Sequence, residues 1–259
     1  MIHNWFKKWM PGGKIAVVPF SGAIFMRSAE TYMNIVKMLE RSKKIKGVIL
    51  RMDSHGGGAA ASELFYLALR RLSKAKPLYC YTIFAASGGY MASCAANKIF
   101  APFTGVIGSI GVISLKPVLK DIMNRIGIEL EVTKKGVHKD MSLFHRESTE
   151  EEKMKMDALH EDIYQRFIDI VSEGRNMERE KVLSLATGEL FSAKKGVELG
   201  LIDRICDFED ALDLMSGETK VSKEKVVWIK PRKPLLSRLM GQTGGVFIDE
   251  LLGRLYELR

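Results

Sequence analysis

Ala85-Ala86-Ser87-Gly88-Gly89-Tyr90 follows a short apolar run, Pro77 to Phe84 (PLYCYTIF), and precedes the small residues Met91 to Asn97 (MASCAAN). The apolar run reads as a buried strand, and the small residues favour a closely packed helix. A serine at a strand-to-helix turn can project its hydroxyl from the mouth of a fold. The glycines beside it let a second backbone approach, and N–H groups at the start of a helix can hold an anion. A nucleophile with an oxyanion hole needs these features. The plainer alternative is a tight turn with an N-capping serine.

Outward from this turn, strand and helix patterns alternate. Lys14 to Phe20 (KIAVVPF) reads as a buried strand, Ser28 to Arg41 as a helix with an apolar stripe, and Gly47 to Met52 as a second strand. That strand ends in Asp53-Ser54-His55-Gly56-Gly57-Gly58, and a helix from about Ala60 to Ser73 follows, with Leu64, Leu67 and Leu69 among its apolar positions. Lys98 to Ala101 is a further short strand. Such alternation predicts an α/β fold with a mainly parallel sheet and right-handed crossovers. Functional turns belong at the carboxyl ends of such strands, and both glycine-rich turns fall there.

Further on, Leu115 to Ile126 reads as a helix and Glu129 to Thr133 (ELEVT) as a strand, with a loop from Lys134 to Arg146. Thr149 and Glu152 have capping-box spacing. The helix they open carries Leu159, Ile163, Phe167 and Val171 at intervals of four, and Gly174 is its expected stop. Gly188 to Asp203 reads as strand, helix, glycine stop and strand, and Val226 to Ile229 as a last strand. Three parts are expected: a basic aromatic arm over 1–13, one domain over 14–216, and a basic, amphipathic tail over 217–259.

Composition narrows the class. The chain has 259 residues, 46% hydrophobic and 27% charged, which describes a globular protein with ample core. A net charge of +9 suits an anionic membrane surface or nucleic acid. Arginine and aromatic residues are not interleaved in a way that favours nucleic acid, so no nucleic-acid partner is expected. Cys80, Cys94 and Cys206 are scattered, no Cys/His cluster suggests a metal, and no cofactor is expected. The cysteine usage fits a reducing compartment. No stretch approaches about 20 apolar residues, so no spanning helix is expected. Trp5, Phe6 and Trp9 beside Lys7 and Lys8 suit an interfacial anchor. The expected location is therefore cytoplasmic or peripheral at a membrane.

A serine hydroxyl needs a base to take its proton. Among the five histidines, His55, His138 and His145 lie in turns or loops, His3 in the terminal arm and His160 on a helix; no context singles one out. Lys139 is the other route, in Gly136-Val137-His138-Lys139-Asp140-Met141 ahead of the long capped helix. A lysine base must be neutral, which burial favours.

The set of motifs resembles the signal peptide peptidase A family, serine-lysine peptidases of the S49 type. The matching pieces occur in the family's order: Asp53 to Gly58, Ala85 to Tyr90, Gly108-Ser109-Ile110-Gly111, Gly136 to Asp140, and Gly188 to Asp203. The interval from Ser87 to Lys139 suits half-length members, and coverage runs from about Ile15 to Leu214. The resemblance implies a crotonase-like (ClpP-like) fold and Ser87 as nucleophile with Lys139 as general base. It further implies Ser109 orienting the lysine, and Gly57 and Gly88 N–H groups as the oxyanion hole. It also implies peptide substrates such as signal-peptide remnants, and a closed homo-oligomer, an octameric ring with the active site shared between protomers. His55 stands where the family usually has proline. The same fold houses enoyl-CoA hydratases, which would need neither Ser87 nor Lys139, and a membrane-associated scaffold without chemistry is a third alternative.

Overall fold

The computed structural model describes residues 13–231. The amino-terminal arm and most of the basic tail lie outside these residues. The compact unit runs as far as Ile229.

Strands β1 (Lys14–Ser21), β2 (Ile45–Ser54) and β3 (Leu78–Ala86) form the centre of one sheet, joined by helices α1 (Met26–Arg41) and α2 (Ala59–Ala75). Their register is parallel throughout, with Val17 opposite Ile49 and Leu50 opposite Cys80. Both faces of these strands are covered, so their sequences are near-continuous apolar runs instead of alternating ones. On one face α1 and α2 bring Val36, Leu39, Phe65, Tyr66, Leu69 and Leu72 onto the sheet. On the other, α8 (Phe208–Thr219) seats Met215 and Ala211 against Ile15, Val17, Ile49 and Tyr79. Each Leu, Ile or Phe buried in this way contributes about 1.5–3 kcal/mol. The buried face of α2 is not the expected one throughout: Leu64 is exposed, and Ala61, Ser62 and Phe65 point inward.

Strand β3 forks. Its first half, Tyr79 to Tyr81, pairs with β4 (Lys98–Ala101), and its last residues, Phe84 to Ala86, pair with β5 (Val106–Gly108). This divergence opens the sheet at the carboxyl end of β3, where helix α3 (Gly88–Ser93) begins. The segment 188–205 folds in the expected order: β6 (Leu190–Ser192), α7 (Ala193–Leu199), a left-handed Gly200 cap at φ 84°, and β7 (Arg204–Ile205). β6 pairs antiparallel with β5, and β7 continues the sheet beyond β4. β8 (Val226–Trp228) pairs with β1, so the sheet extends past residue 216, the expected end of the domain.

Two expectations fail in the segment between β5 and the long helix, and a third at the end of that helix. The helix read over 115–126 shrinks to α4 (Lys120–Arg125). Glu129 to Thr133 forms no strand; a short β-pattern needs a neighbouring edge, and the described residues present none there. Gly174 does not stop α5 (Glu150–Arg175), which continues to a left-handed Asn176 at φ 50°, ahead of the short α6 (Arg179–Leu185). A Cβ at Gly174 would stand 2.3 Å from Cys94 O, so glycine serves close packing there. The start of α5 agrees with the sequence: Thr149 Oγ1 accepts from Glu152 N–H at 3.2 Å, and Glu152 accepts from Thr149 N–H at 2.9 Å. Of its apolar stripe, Phe167 and Val171 are buried, Ile163 is half-buried and Leu159 is exposed. The buried residues anchor the helix, and its amino-terminal half stands clear of the core.

Candidate active site

Ser87 is the hinge between β3 and α3, at φ 50° and ψ −125°. A non-glycine residue with positive φ is strained and persists only where its surroundings enforce it. Two hydrogen bonds contribute to holding the turn: Ser87 N–H donates to Gly108 O at 2.8 Å, and Met91 N–H donates to Ser87 O at 2.9 Å. Since Ala86 pairs with Gly108, the next residues in register are Ser87 and Ser109. Ser109 also has φ 50°, and its N–H donates to Glu189 O at 2.7 Å. The two serines therefore leave adjacent strand ends with the same positive φ.

The turn after β2 lies against this hinge. At Gly56, φ is +95° and a Cβ would stand 2.7 Å from Gly88 N and 2.8 Å from Ser87 Cβ, so only glycine fits. Ile24 fastens the turn from the other side. Its N–H donates to Gly56 O at 2.8 Å and its carbonyl accepts from Gly58 N–H at 3.0 Å. That pairing leaves the Gly57 N–H outside the ladder. Gly88 is the first residue of α3, where an N–H has no partner within the helix. The position of a Cβ on Gly88 is 3.5 Å from Gly57 N, so the two amides are neighbours.

Gly57, Ser87 and Gly88 share the rim of a cleft of about 180 Å³, whose walls include Met91, Val112, Ile113, Ile163 and Phe167. A shallower hollow of about 280 Å³ adjoins it, sharing Ala59, Met91 and Ile163 and adding Glu63, Asp162 and Arg166. The helix α5, known from sequence as an amphipathic stripe, thus forms one wall of the cleft. Sequence reading also missed Ser62. Its hydroxyl is buried, has no hydrogen-bond partner among the described residues and lines the cleft against Gly88. The available signal was a hydroxyl on the inward face of α2 near its start, one turn from the Gly56 turn.

This packing has a measurable consequence. A Cβ on Gly88 would fall 2.0 Å from Ser62 Oγ and 2.7 Å from Ser62 Cβ. Gly88→Ala is expected to destabilise the protein by about 1–3 kcal/mol through overpacking. Ser62→Gly, which removes both colliding atoms, is expected to return most of that loss in the double variant. Denaturant unfolding of the two single variants and the double variant checks it; strict additivity would show that the clash lies elsewhere.

The structure does not bring Lys139 to Ser87 within one chain. Lys139 is exposed and is absent from the lining of the cleft. Its loop is held elsewhere. The neighbouring Asp140 is buried and accepts from Lys134 Nζ at 2.6 Å and from Arg146 Nη2 at 2.9 Å. These cations hold the Asp140 carboxyl well below the usual carboxylate range. Arg146 also grips Glu152, whose carboxyl is lowered to about 2 by that hydrogen bond and by the Thr149 N–H.

Nor does any described histidine bond to Ser87. His55 is exposed, with its ring 4.5 Å from that of Phe84. His138 faces Glu151 at 3.3 Å, His145 faces Asp140 at 3.6 Å, and His160 faces Ser114 at 2.9 Å. Burial pushes the Cys80 and Cys94 thiols up to about 12, so they remain protonated near neutral pH. The described residues contain no His/Cys/Asp/Glu group able to hold a metal ion and no helix long and apolar enough to cross a membrane.

Comparison with known proteins identifies the family and the fold. A Synechocystis sp. protein with a provisional protease name is 34% identical over 231 residues, covering 88% of this chain and 83% of the relative. An Enterococcus faecium protein provisionally named signal peptide peptidase SppA is 33% identical, covering 78% of this chain but 59% of its own length. Among solved structures, a mutant of the 1510-N membrane-bound stomatin-specific protease matches with a TM-score of 0.56 at 14% identity, over 85% of this chain and 99% of that one. That likeness concerns the fold. The family model described as peptidase family S49 matches residues 70–222, from the second half of α2 through the Ser87 hinge to the end of α8, and the chain belongs to that family.

Proposed function

We propose that this protein is a serine endopeptidase in which Ser87 is the nucleophile and Lys139 the general base, acting on signal-peptide remnants or other membrane-associated peptides. The observation that carries the reading is the strained Ser87 hinge beside the Gly57 and Gly88 amides, which donate to no partner among the described residues, at the rim of an apolar cleft. Neutral Lys139 takes the Ser87 hydroxyl proton as Oγ attacks the scissile carbonyl carbon. The oxyanion that forms accepts hydrogen bonds from Gly57 and Gly88 N–H, in the manner of preorganised donors. Collapse breaks the C–N bond, and the leaving amine takes the proton from Lys139. A water molecule then attacks the ester carbonyl, giving a proton to Lys139; the bond from the acyl carbon to Ser87 Oγ breaks, Oγ takes that proton back from Lys139, and the acid product leaves. Ser109, one strand over, suits the role of orienting the lysine. Apolar walls favour small or apolar residues before the cut.

The site is completed between protomers of a closed homo-oligomer, an octameric ring on the family's pattern. Two observations support this. Lys139 is exposed on its own chain, so a dry setting for a neutral amine has to come from another surface. The segment around it also leaves Ile113, Leu115, Ile122, Ile126 and Val137 exposed, more apolar area than one loop region usually presents to water.

A fluorophosphonate probe tests the nucleophile. It is expected to label one serine, mapped by peptide mass analysis to Ser87, and to leave Ser87→Ala unlabelled. Labelling at another serine, with Ser87→Ala still cleaving peptides, would overturn the assignment.

A further inference from the structure

We infer that Arg146 is a positioning residue that sets the place of Lys139 by tying its loop to the same helix that walls the Ser87 cleft. The inference rests on the reading of Lys139 as base. The segment between β5 and α5 has only one short helix, α4, so regular structure does little to fix residue 139. Instead, the residue after it, Asp140, is drawn under the surface to 4% exposure. Arg146 meets Asp140 twice, Nε to Oδ2 at 3.2 Å and Nη2 to Oδ1 at 2.9 Å. Its far side meets Glu152 twice, Nη1 to Oε2 at 2.8 Å and Nη2 to Oε1 at 2.6 Å. Nη1 also donates to Glu147 O at 2.9 Å.

The planar guanidinium thus spans two carboxylates in fixed geometry, which a lysine ammonium cannot reproduce. Glu152 is itself 3% exposed and belongs to the capping box of α5. Farther along, α5 presents Ile163 and Phe167 to the cleft and buries Phe167, Ile168, Ile170 and Val171 in the core. A continuous path of charge-assisted hydrogen bonds therefore runs from the carboxylate of Asp140, the residue after Lys139, to a rigid element of the site. Lys134 Nζ and His145 Nε2 add weight on Asp140, at 2.6 and 3.6 Å. Both lie in the same loop and do not reach the helix; His138 Nε2 does, facing the exposed Glu151 of α5 at 3.3 Å, but the tie between buried carboxylates is made by Arg146.

The test compares wild type, Arg146→Ala, Arg146→Lys, Asp140→Asn and Lys139→Ala as full chains, on a fluorogenic peptide, with thermal unfolding of each. Loosening the loop by about an ångström is expected to lower kcat about a hundred-fold with KM little changed. Guanidinium ion at tens of millimolar is expected to restore much of the activity of Arg146→Ala and none of that of Lys139→Ala. Arg146→Lys and Asp140→Asn are expected to lose kcat while keeping a cooperative unfolding transition. A folded Arg146→Ala with kcat within about three-fold of wild type overturns the inference, as does a loss that guanidinium cannot restore. If Arg146→Ala does not fold, full kcat in folded Arg146→Lys and Asp140→Asn overturns it equally. A Lys139→Ala that still turns over defeats the dyad and this inference together. An inactive Lys139→Ala beside a fully active Arg146→Ala defeats this inference alone.

Discussion

Ser87→Ala and Lys139→Ala are each expected to reduce peptide cleavage by at least roughly ten-thousand-fold, and the double variant to lose no more than either single one. The reason is that neither group works alone. An uncoupled serine hydroxyl is a weak nucleophile, and a lysine with no hydroxyl beside it has no proton to take. Neither change should disturb the fold. Lys139 is exposed on the chain, and alanine at 87 removes one oxygen at the rim of an open cleft. Alanine tolerates the positive φ of this hinge no better than serine does, so the Ser87→Ala unfolding temperature should stay near that of wild type. Turnover by single variants and the double, each with its unfolding curve, is the measurement. Near-normal cleavage by Lys139→Ala would remove lysine as the base and return attention to His55, the histidine beside the Gly56 turn.

Mixing the two inactive proteins is expected to restore activity. Suppose that each Ser87 is served by the Lys139 of a neighbour. Ser87→Ala chains still carry the lysine, and Lys139→Ala chains still carry the serine. In rings assembled at random from equal amounts, about a quarter of the sites combine an intact serine with an intact lysine. Activity should therefore rise from near zero to about a quarter of the wild-type value per site, and only when subunits exchange. The physical motive is the exposure of Lys139 together with the apolar side chains around it, which a second protomer would cover. Native mass spectrometry of the mixture establishes that mixed rings have formed. Inactive mixed rings would place both members of the dyad in one chain. In that case the Lys139 loop would have to change its conformation to reach the cleft of its own chain.

The central strands were legible because parallel strands buried on both faces leave long apolar runs, as KIAVVPF and PLYCYTIF do. α5 announced its start through Thr149 and Glu152, since capping is a local matter of three residues. Its end was misread because Gly174 answers to Cys94 across the fold, a contact with no local signature. Glu129 to Thr133 has strand composition but no strand, since a ladder needs a second edge and composition cannot supply one.

The candidate site divides along the same line. By itself the sequence determined the Ser87 turn and the glycine turn ending at Gly58, and it put both at strand ends. Those properties depend on neighbours within a few residues: small side chains, glycine and an apolar run ahead. Tertiary structure alone decided that β3 forks to open the cleft, that Ser62, Ile163 and Phe167 line it, and that Gly56 presses on Ser87 and Gly88. It also decided that Lys139 stays on the surface while Asp140 is drawn in beneath Arg146. These arrangements come from packing and charge pairing between segments far apart in the chain, where the burial of one residue depends on which others close over it.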